Sequence, residues 1–439
     1  MKKFLNISLV ALVALSSVSL VSCKNETDEI FDEDAVARLE KAKAEYSQIL
    51  TDKGGKWQME YFSNDEEPGY IYVMTFNENG SVTISGKNKW IGNLGSVAYG
   101  SATSLWEVIA DNGPVLSFNS FNKYFHLFAD PEDIPSQDDE ADNEQGYGHR
   151  GDYEFNLMKY SNDTLYISGK KHGIDMIMTR IDANYDDAQY MDEVVAMADS
   201  FFHARIPQVY INLPNDVRYV VKNGASSILS MFKEGEDEIS TSFTHNVIIT
   251  HDGLSFMTPI TLDGYTIQNF TRQADGSLLC RDDQQTTITA DDLSIVIGYT
   301  ALAWRINNTA VGGVFADYVA QMADELKAYN KSTLVYTQLN YDLTKESYVL
   351  TFFVKRGANT FKPAFMLEEV PVDADHIRFN ITGADNTGSV YAQRCPAMQS
   401  FVDAIGSMTF ALKTPSLLAP VRMTLIDSGN AANVIDVTL

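Results

Sequence analysis

Apolar side chains recur at spacings of three and four in separate stretches of the chain and alternate with polar ones through most of the rest. Asp34 stands where it can cap a helix whose one face carries Val36, Leu39, Tyr46, Ile49 and Leu50. Tyr190, Val194, Met197, Phe201 and Phe202 mark a second helix, and Phe315, Tyr318, Val319, Met322, Leu326 and Tyr329 a third. A shorter one follows Pro396, with Phe401, Val402 and Ile405. Each long helix precedes a strand-rich block, which suggests a loose repeat of helix then sheet, although no residues align between the copies.

The block from about 54 to 182 is the most legible. Trp57, Met59 and Tyr61 alternate with polar residues, a strand runs from Gly69 to Phe76, and Asn77-Glu78-Asn79-Gly80 turns it into Ser81–Ser85. Further strands are predicted over Ser104–Ile109, Val115–Phe118, Lys123–Phe128, Tyr153–Tyr160, Thr164–Ser168 and Met176–Ile181. Short strands joined by short turns favour an up-and-down meander, and closing it into a barrel removes the exposed edges. Residues 206–302 and 303–439 are strand-rich again and read as two further modules or as one sandwich-like unit with helices on one face. The predicted fold class is therefore mainly β with some helix: an N-terminal barrel followed by one or two β-rich modules with helices packed on them.

Composition narrows the class. With 45% hydrophobic and 21% charged residues the chain can bury a core. A formal charge of −26 argues against nucleic acid, which demands basic patches to neutralise phosphates. Three cysteines exclude a disulfide scaffold and a cysteine-rich zinc module.

Lys2 and Lys3, the apolar run Phe4–Leu15 and the segment Leu20-Val21-Ser22-Cys23 have the layout of a secretory signal too short to span a bilayer. The last four residues resemble the lipobox of bacterial lipoproteins. That resemblance implies a signal peptide over 1–22, cleavage before Cys23, and acylation of that cysteine (diacylglycerol, palmitate). An ordinary signal peptide with a cysteine near its cut is the alternative. Lys24-Asn25-Glu26-Thr27-Asp28-Glu29 then begins an acidic tether over 23–34, similar to the export signal of surface-exposed outer-membrane lipoproteins. The remaining divisions expected are 35–182 (helix plus barrel), 183–302 and 303–439.

Gly55-Lys56-Trp57 resembles the G-x-W signature of lipocalin-like barrels, in which a basic side chain from the last strand lies on the indole; Arg180 stands where that partner is expected. Asn112–Phe118, Tyr124–Pro131, Gly151–Phe155 and Asp252–Ile260 are similar to blocks of an uncharacterised family of outer-membrane lipoproteins. Members of that family tend to accompany SusC/SusD-like nutrient importers. The resemblance implies an accessory role in substrate capture, with no assigned chemistry.

Catalytic signatures are missing. The seven histidines form no His-Glu-x-x-His, no G-x-S-x-G elbow occurs, and Lys87 is followed by Asn88 where a P-loop needs Ser or Thr. His245 and His251, six apart, and His126 read as structural. Cys280 and Cys395 are free to bridge or to stay buried thiols. Carboxylates are too many for a glycosidase-like pair to be located. The acidic loop from Ala129 to Gly151 fails the EF-hand pattern.

Aromatics in loops are the remaining clue. Trp90, Tyr147 and the neighbouring His149 are the candidate ligand-binding residues, since aromatic platforms suit sugars and peptides alike. The expectation is a non-catalytic, surface-anchored binding lipoprotein that assists nutrient uptake (peptide or glycan) with a TonB-dependent importer, requires neither cofactor nor metal, and holds the outer membrane through its N-terminal lipid. A carboxylate-based hydrolase and a structural or adhesive surface protein are the alternatives. A deep cavity in the first barrel favours binding, and a filled barrel favours a scaffold.

Overall fold

A computed structural model describes residues 34–65, 67–93, 99–130, 149–203, 205–206, 208–223 and 228–439. Cys23 and Tyr147 lie outside the described residues. The fold is mainly β, with three antiparallel sheets in chain order.

The first sheet holds β1 (Lys56–Tyr61), β2 (Tyr70–Phe76), β3 (Ser81–Lys87), β4 (Tyr99–Leu105), β5 (Glu107–Ala110), β6 (Pro114–Ser117), β7 (Glu154–Ser161), β8 (Thr164–Gly169) and β9 (Asp175–Arg180). Their order is β4-β3-β2-β1-β9-β8-β7-β6-β5, so the first and last strands pair and the meander curls round on itself. Among the described residues β4 and β5 remain its two edges, with Trp106 between them, so this first barrel is a curled, barrel-like sheet without the β4–β5 pairing that would remove the edges. The Asn77–Gly80 turn forms as the sequence predicts, with Gly80 at φ 79°. At the sheet's closed end the Arg180 guanidinium carbon lies 4.2 Å from the Trp57 ring centroid, the contact that the G-x-W resemblance implies. Arg180 also donates to the Ile49 carbonyl at 2.7 Å and the Asp52 carbonyl at 2.5 Å, which fixes the end of the preceding helix, Ala35–Thr51.

The predicted strand over Lys123–Phe128 does not form. Asn122 Oδ1 accepts from the backbone N–H groups of Tyr124 and Phe125 at 3.2 and 3.3 Å, while its Nδ2 donates to the Ala102 carbonyl at 3.1 Å. This local side-chain turn outcompetes a ladder and leads into a 3-10 helix, His126–Ala129. Phe125, Leu127 and Phe128 thereby enter the barrel, where Phe125 and Phe128 pack on Tyr61 at 5.6 and 5.5 Å between ring centroids. The first barrel is filled.

The second sheet is a closed eight-stranded barrel: β10 (Val209–Asn212), β11 (Arg218–Asn223), β12 (Ile228–Lys233), β13 (Phe243–Ile249), β14 (Gly253–Leu262), β15 (Tyr265–Arg272), β16 (Leu278–Cys280) and β17 (Thr287–Ala290). The third comprises β18 (Ala303–Gly312), β19 (Thr333–Asp342), β20 (Ser347–Arg356), β21 (Asn359–Phe361), β22 (Ala364–Asp373), β23 (His376–Ala384), β24 (Thr409–Lys413), β25 (Arg422–Asp427) and β26 (Val434–Thr438). A β19–β20 pairing closes it into a ring, with β21 as a side strand. Helices Val314–Asn330 and Pro396–Ser407 pack into its core through Phe315, Met322, Leu326, Phe401 and Val402. Residues 206–439 are thus two barrels, not a single sandwich, because in each the last strand returns to pair with the first.

The helix-then-sheet repeat does not hold in the third sheet, where helix Val314–Asn330 follows β18. The first and third sheets nonetheless share one local device, involving helices Ala35–Thr51 and Leu293–Ile297. Trp57 Nε1 donates to the Leu50 carbonyl at 2.8 Å, and Trp304 Nε1 to the Ile297 carbonyl at 3.0 Å, in each case seven residues back into the preceding helix. Two devices lock the barrels together. Helix Asp187–Phe201 gives Tyr190 and Met191 to the first core, and Met197 and Phe201 to the second. The loop between β24 and β25 sends Leu418 into the second core, while Leu417 exchanges backbone hydrogen bonds with Asp275 and Ala290. Cys280 and Cys395 are both buried and unbridged. Among the described residues, no helix is long and apolar enough to cross a membrane.

Candidate binding cleft

Side chains alternate along β1. Trp57, Met59 and Tyr61 enter the first barrel and leave Lys56, Gln58 and Glu60 on its outer surface. Such positions are usually solvated, yet all six residues of the strand are buried, because the inter-barrel helix and the second barrel approach this face. Lys56 is held by Asp187 at 2.7 Å and by the Tyr185 carbonyl. Tyr190 donates its hydroxyl proton to Gln58 Oε1, and Gln58 Nε2 donates in turn to Glu60 Oε1 at 3.2 Å. With its one proton given away, the Tyr190 oxygen accepts from His251 Nδ1–H at 2.8 Å. The result is a chain of donors that runs from His251 to Glu60 across three segments distant in sequence.

These groups line a cleft of 620 Å³ between the first two barrels. Its floor is the outer face of β1, β9 and β8, where register aligns Gln58 with Thr179 and Thr164, and Glu60 with Ile177 and Tyr166. Its roof carries Ser255, Thr258, Gln268 and Asn269 from β14 and β15, with Arg281 just beyond the end of β16. His251 and Asp252 come from the β13–β14 turn, where Thr250 Oγ1 holds Asp252 Oδ1 at 3.0 Å. Met158 and Tyr166, exposed by 66% and 44%, add apolar area at the rim.

Glu60 is the electrostatic focus. Burial, which removes water from its carboxyl, is the largest cause of a pKa pushed up to about 7; Arg281 and the Gln58 hydrogen bond oppose the rise and Asp252 adds to it. Tyr190 is also raised, first by burial and then by Asp252 and Glu60. A buried carboxyl that titrates near neutrality in a cleft marks a candidate functional site. The volume suits a ligand of a few residues or sugar units.

His251, which the sequence reads as structural, lines the cleft, whereas the residues it proposes for ligand binding lie elsewhere. Trp90 is half-buried; its indole N–H donates to the Tyr70 hydroxyl at 2.9 Å, and its ring meets His149 edge-on at 5.0 Å. His149 is 2% exposed and pairs with Glu67. The structure brings these two together as packing around the first barrel's mouth, and neither lines the inter-barrel cleft. His245 is held by the Thr258 carbonyl at 3.1 Å. His126 sits in the 3-10 helix between Phe121 and Tyr153, not on a strand. Asp373, Asp375 and His376 gather on the third barrel, with the imidazole 2.8 and 2.7 Å from the two carboxylates, an ion-paired turn. A second hollow of 410 Å³ lies beside β7 and β8, where Asp152 accepts from the backbone of Lys171 and His172, and Lys170 pairs with Asp111 and Glu154.

Residues 27–274 match the family model described as a domain of unknown function (DUF4302). The chain belongs to the DUF4302 family. The matched segment carries Glu60, Tyr190, His251 and Asp252, both floor and part of the roof; Arg281 and the third barrel lie beyond it. No curated protein matches the chain. Among solved structures, the chain is similar to the DNA polymerase β subunit of Streptococcus pyogenes, at 11% identity over 90% of this chain and 97% of that one, with a TM-score of 0.13. The β subunit of DNA polymerase III from Thermotoga maritima gives 10% identity over 92% and 96%, with a TM-score of 0.14. Transferrin binding protein B of Neisseria meningitidis gives 8% over 87% and 74%, with a TM-score of 0.13. Scores this low carry no argument about fold or function.

Proposed function

We propose that this DUF4302 protein is a surface-anchored accessory lipoprotein that binds a peptide or glycan nutrient, without acting on it, for uptake through a SusC/SusD-like, TonB-dependent importer. The observation that carries the binding role is the 620 Å³ cleft, whose polar groups converge on the buried Glu60. The filled first barrel by itself favours the scaffold alternative, so the binding role rests on the cleft between barrels and not on a cavity inside one. The anchor rests on the lipobox resemblance at Cys23, and the importer on the family resemblance of the four sequence blocks. Recovery of the lipidated protein from its native outer membrane, followed by mass spectrometry, tests the role. Co-recovery of a TonB-dependent transporter and its lid lipoprotein supports it, and recovery of the protein alone contradicts it.

One observation favours a second reading. Glu60, whose pKa burial raises to about 7, shares the cleft with Asp252, and a pair of carboxyl groups in one cleft is the equipment of a glycosidase-like hydrolase. Turnover of a bound oligosaccharide that disappears in both E60Q and D252N establishes that reading; bound ligand recovered intact argues against it.

A further inference from the structure

Arg281 brings a positive charge to the roof of the cleft. Its own sequence neighbours do not neutralise it: the Asp282 carboxylate accepts from the backbone N–H groups of Gln268 and Asn269 at 2.8 Å each, and Asp283 accepts from Gln285 and Thr286. The backbone of Arg281 is fixed by an N–H bond to the Asn269 carbonyl at 2.7 Å, so the side chain leaves a rigid strand end and lines the cleft. Among the described residues, its guanidinium makes no ion pair and no hydrogen bond to a side chain. On the opposite wall, Glu60 Oε1 accepts from Gln58, and among the described residues Oε2 has no hydrogen-bond partner. The cleft is therefore lined by a guanidinium and a carboxyl oxygen, one from each barrel, that each lack a hydrogen-bond partner among the described residues and are near enough for Arg281 to lower the Glu60 pKa.

We infer that the ligand of this cleft carries a carboxylate, seated between the Arg281 guanidinium and the Glu60 carboxylic acid, which donates its proton from Oε2. This rests on the cleft being the binding site. A guanidinium offers a planar fork matched to two carboxylate oxygens, and charge-assisted hydrogen bonds are the stronger kind. A protonated Glu60 adds a donor on the other side, whereas an ionised Glu60 repels the ligand. The groups that face Glu60 are Arg281 and Asp252 from the second barrel, Gln58 on its own strand, and Tyr190 and His251 through Gln58. Since burial holds its pKa at about 7, the donor is present below neutrality and lost above it. A peptide C-terminus and a uronic acid share this chemistry.

The test uses the full mature protein and two probe arrays: tripeptides beside their C-terminal amides, and uronate disaccharides beside their methyl esters. Calorimetry should find one carboxylate series binding at least tenfold more tightly than its neutral partner, with the preference lost in R281Q. Affinity should fall between pH 6 and pH 8, and E60Q should flatten that slope. The responding series names the source of the carboxylate. Neutral members that bind equally, an R281Q protein with unchanged preference, or silence from both carboxylate series overturns the inference. Thr179→Trp, which fills the floor, separates this failure from that of the site itself. Neutral probes displaced by T179W keep the cleft and remove the carboxylate, and binding indifferent to T179W removes the cleft.

Discussion

Glu60→Gln gives the protein a stability profile that can be worked out from the structure. In the unfolded chain the Glu60 carboxyl titrates near 4.5, and in the fold at about 7, chiefly because burial disfavours its charge. Between those values the unfolded chain has released the proton and the folded chain still holds it, so stability falls as pH rises. At 1.36 kcal/mol for each pH interval of one, the loss reaches about 3 kcal/mol by pH 8. Gln58 can still donate to the amide oxygen of Gln at position 60, so E60Q keeps the local geometry while removing the titration. Urea unfolding followed by tryptophan fluorescence reads the relevant part of the molecule, because Trp57, Trp90 and Trp106 lie in the first barrel and Trp304 alone in the third. The difference between wild type and E60Q should be small at pH 4 and should reach about 3 kcal/mol in favour of E60Q at pH 8. A difference that stays constant across this range refutes the reasoning, since it means that Glu60 ionises as freely in the fold as outside it.

Leu418→Ala, in the third barrel's loop, should destabilise the second barrel by about 2–5 kcal/mol, because the side chain fills that core; hydrogen exchange should quicken in β14–β17 before it does in β18–β26. Arg180→Gln should cost about 2 kcal/mol by removing the contact on Trp57 and the bonds to the Ile49 and Asp52 carbonyls, and amide exchange should show the helix Ala35–Thr51 fraying at its C-terminal end. Cys23→Ser should abolish incorporation of labelled palmitate and shift the protein out of the membrane fraction; acylation that persists removes the lipobox reading.

The fold was legible wherever pattern and local chemistry agreed. Asp34 caps the first helix through Ala37 N–H at 2.7 Å, the Asn77–Gly80 turn forms, and Trp57 meets Arg180 across the first and last strands. The strand predicted over Lys123–Phe128 failed because its apolar residues serve a plug, with the Asn122 side chain drawing the backbone into a turn. The barrels at 206–439 were legible as strands but not as closed rings, since closure depends on which strand returns to β10 or β18 and alternation is silent on partners. The cleft was the least legible part. Gln58 and Glu60 have the outward phase of an ordinary half-buried strand, and nothing local reveals that Tyr190 and the His251–Asp252 turn come to cover them. Trp90 drew notice as an indole in a loop, yet Tyr70 and His149 supply the packing that its sequence neighbours lack.

Hydrogen exchange of the intact mature protein, with and without the tightest-binding member of a peptide and oligosaccharide array, tests the central claim most directly. Binding in the cleft predicts slowed exchange in β1, β8 and β9 on the floor and in residues 250–258 and 268–270 on the roof. Protection confined to the hollow around Asp152 and Lys171, or to the third barrel, with the cleft unchanged, contradicts it.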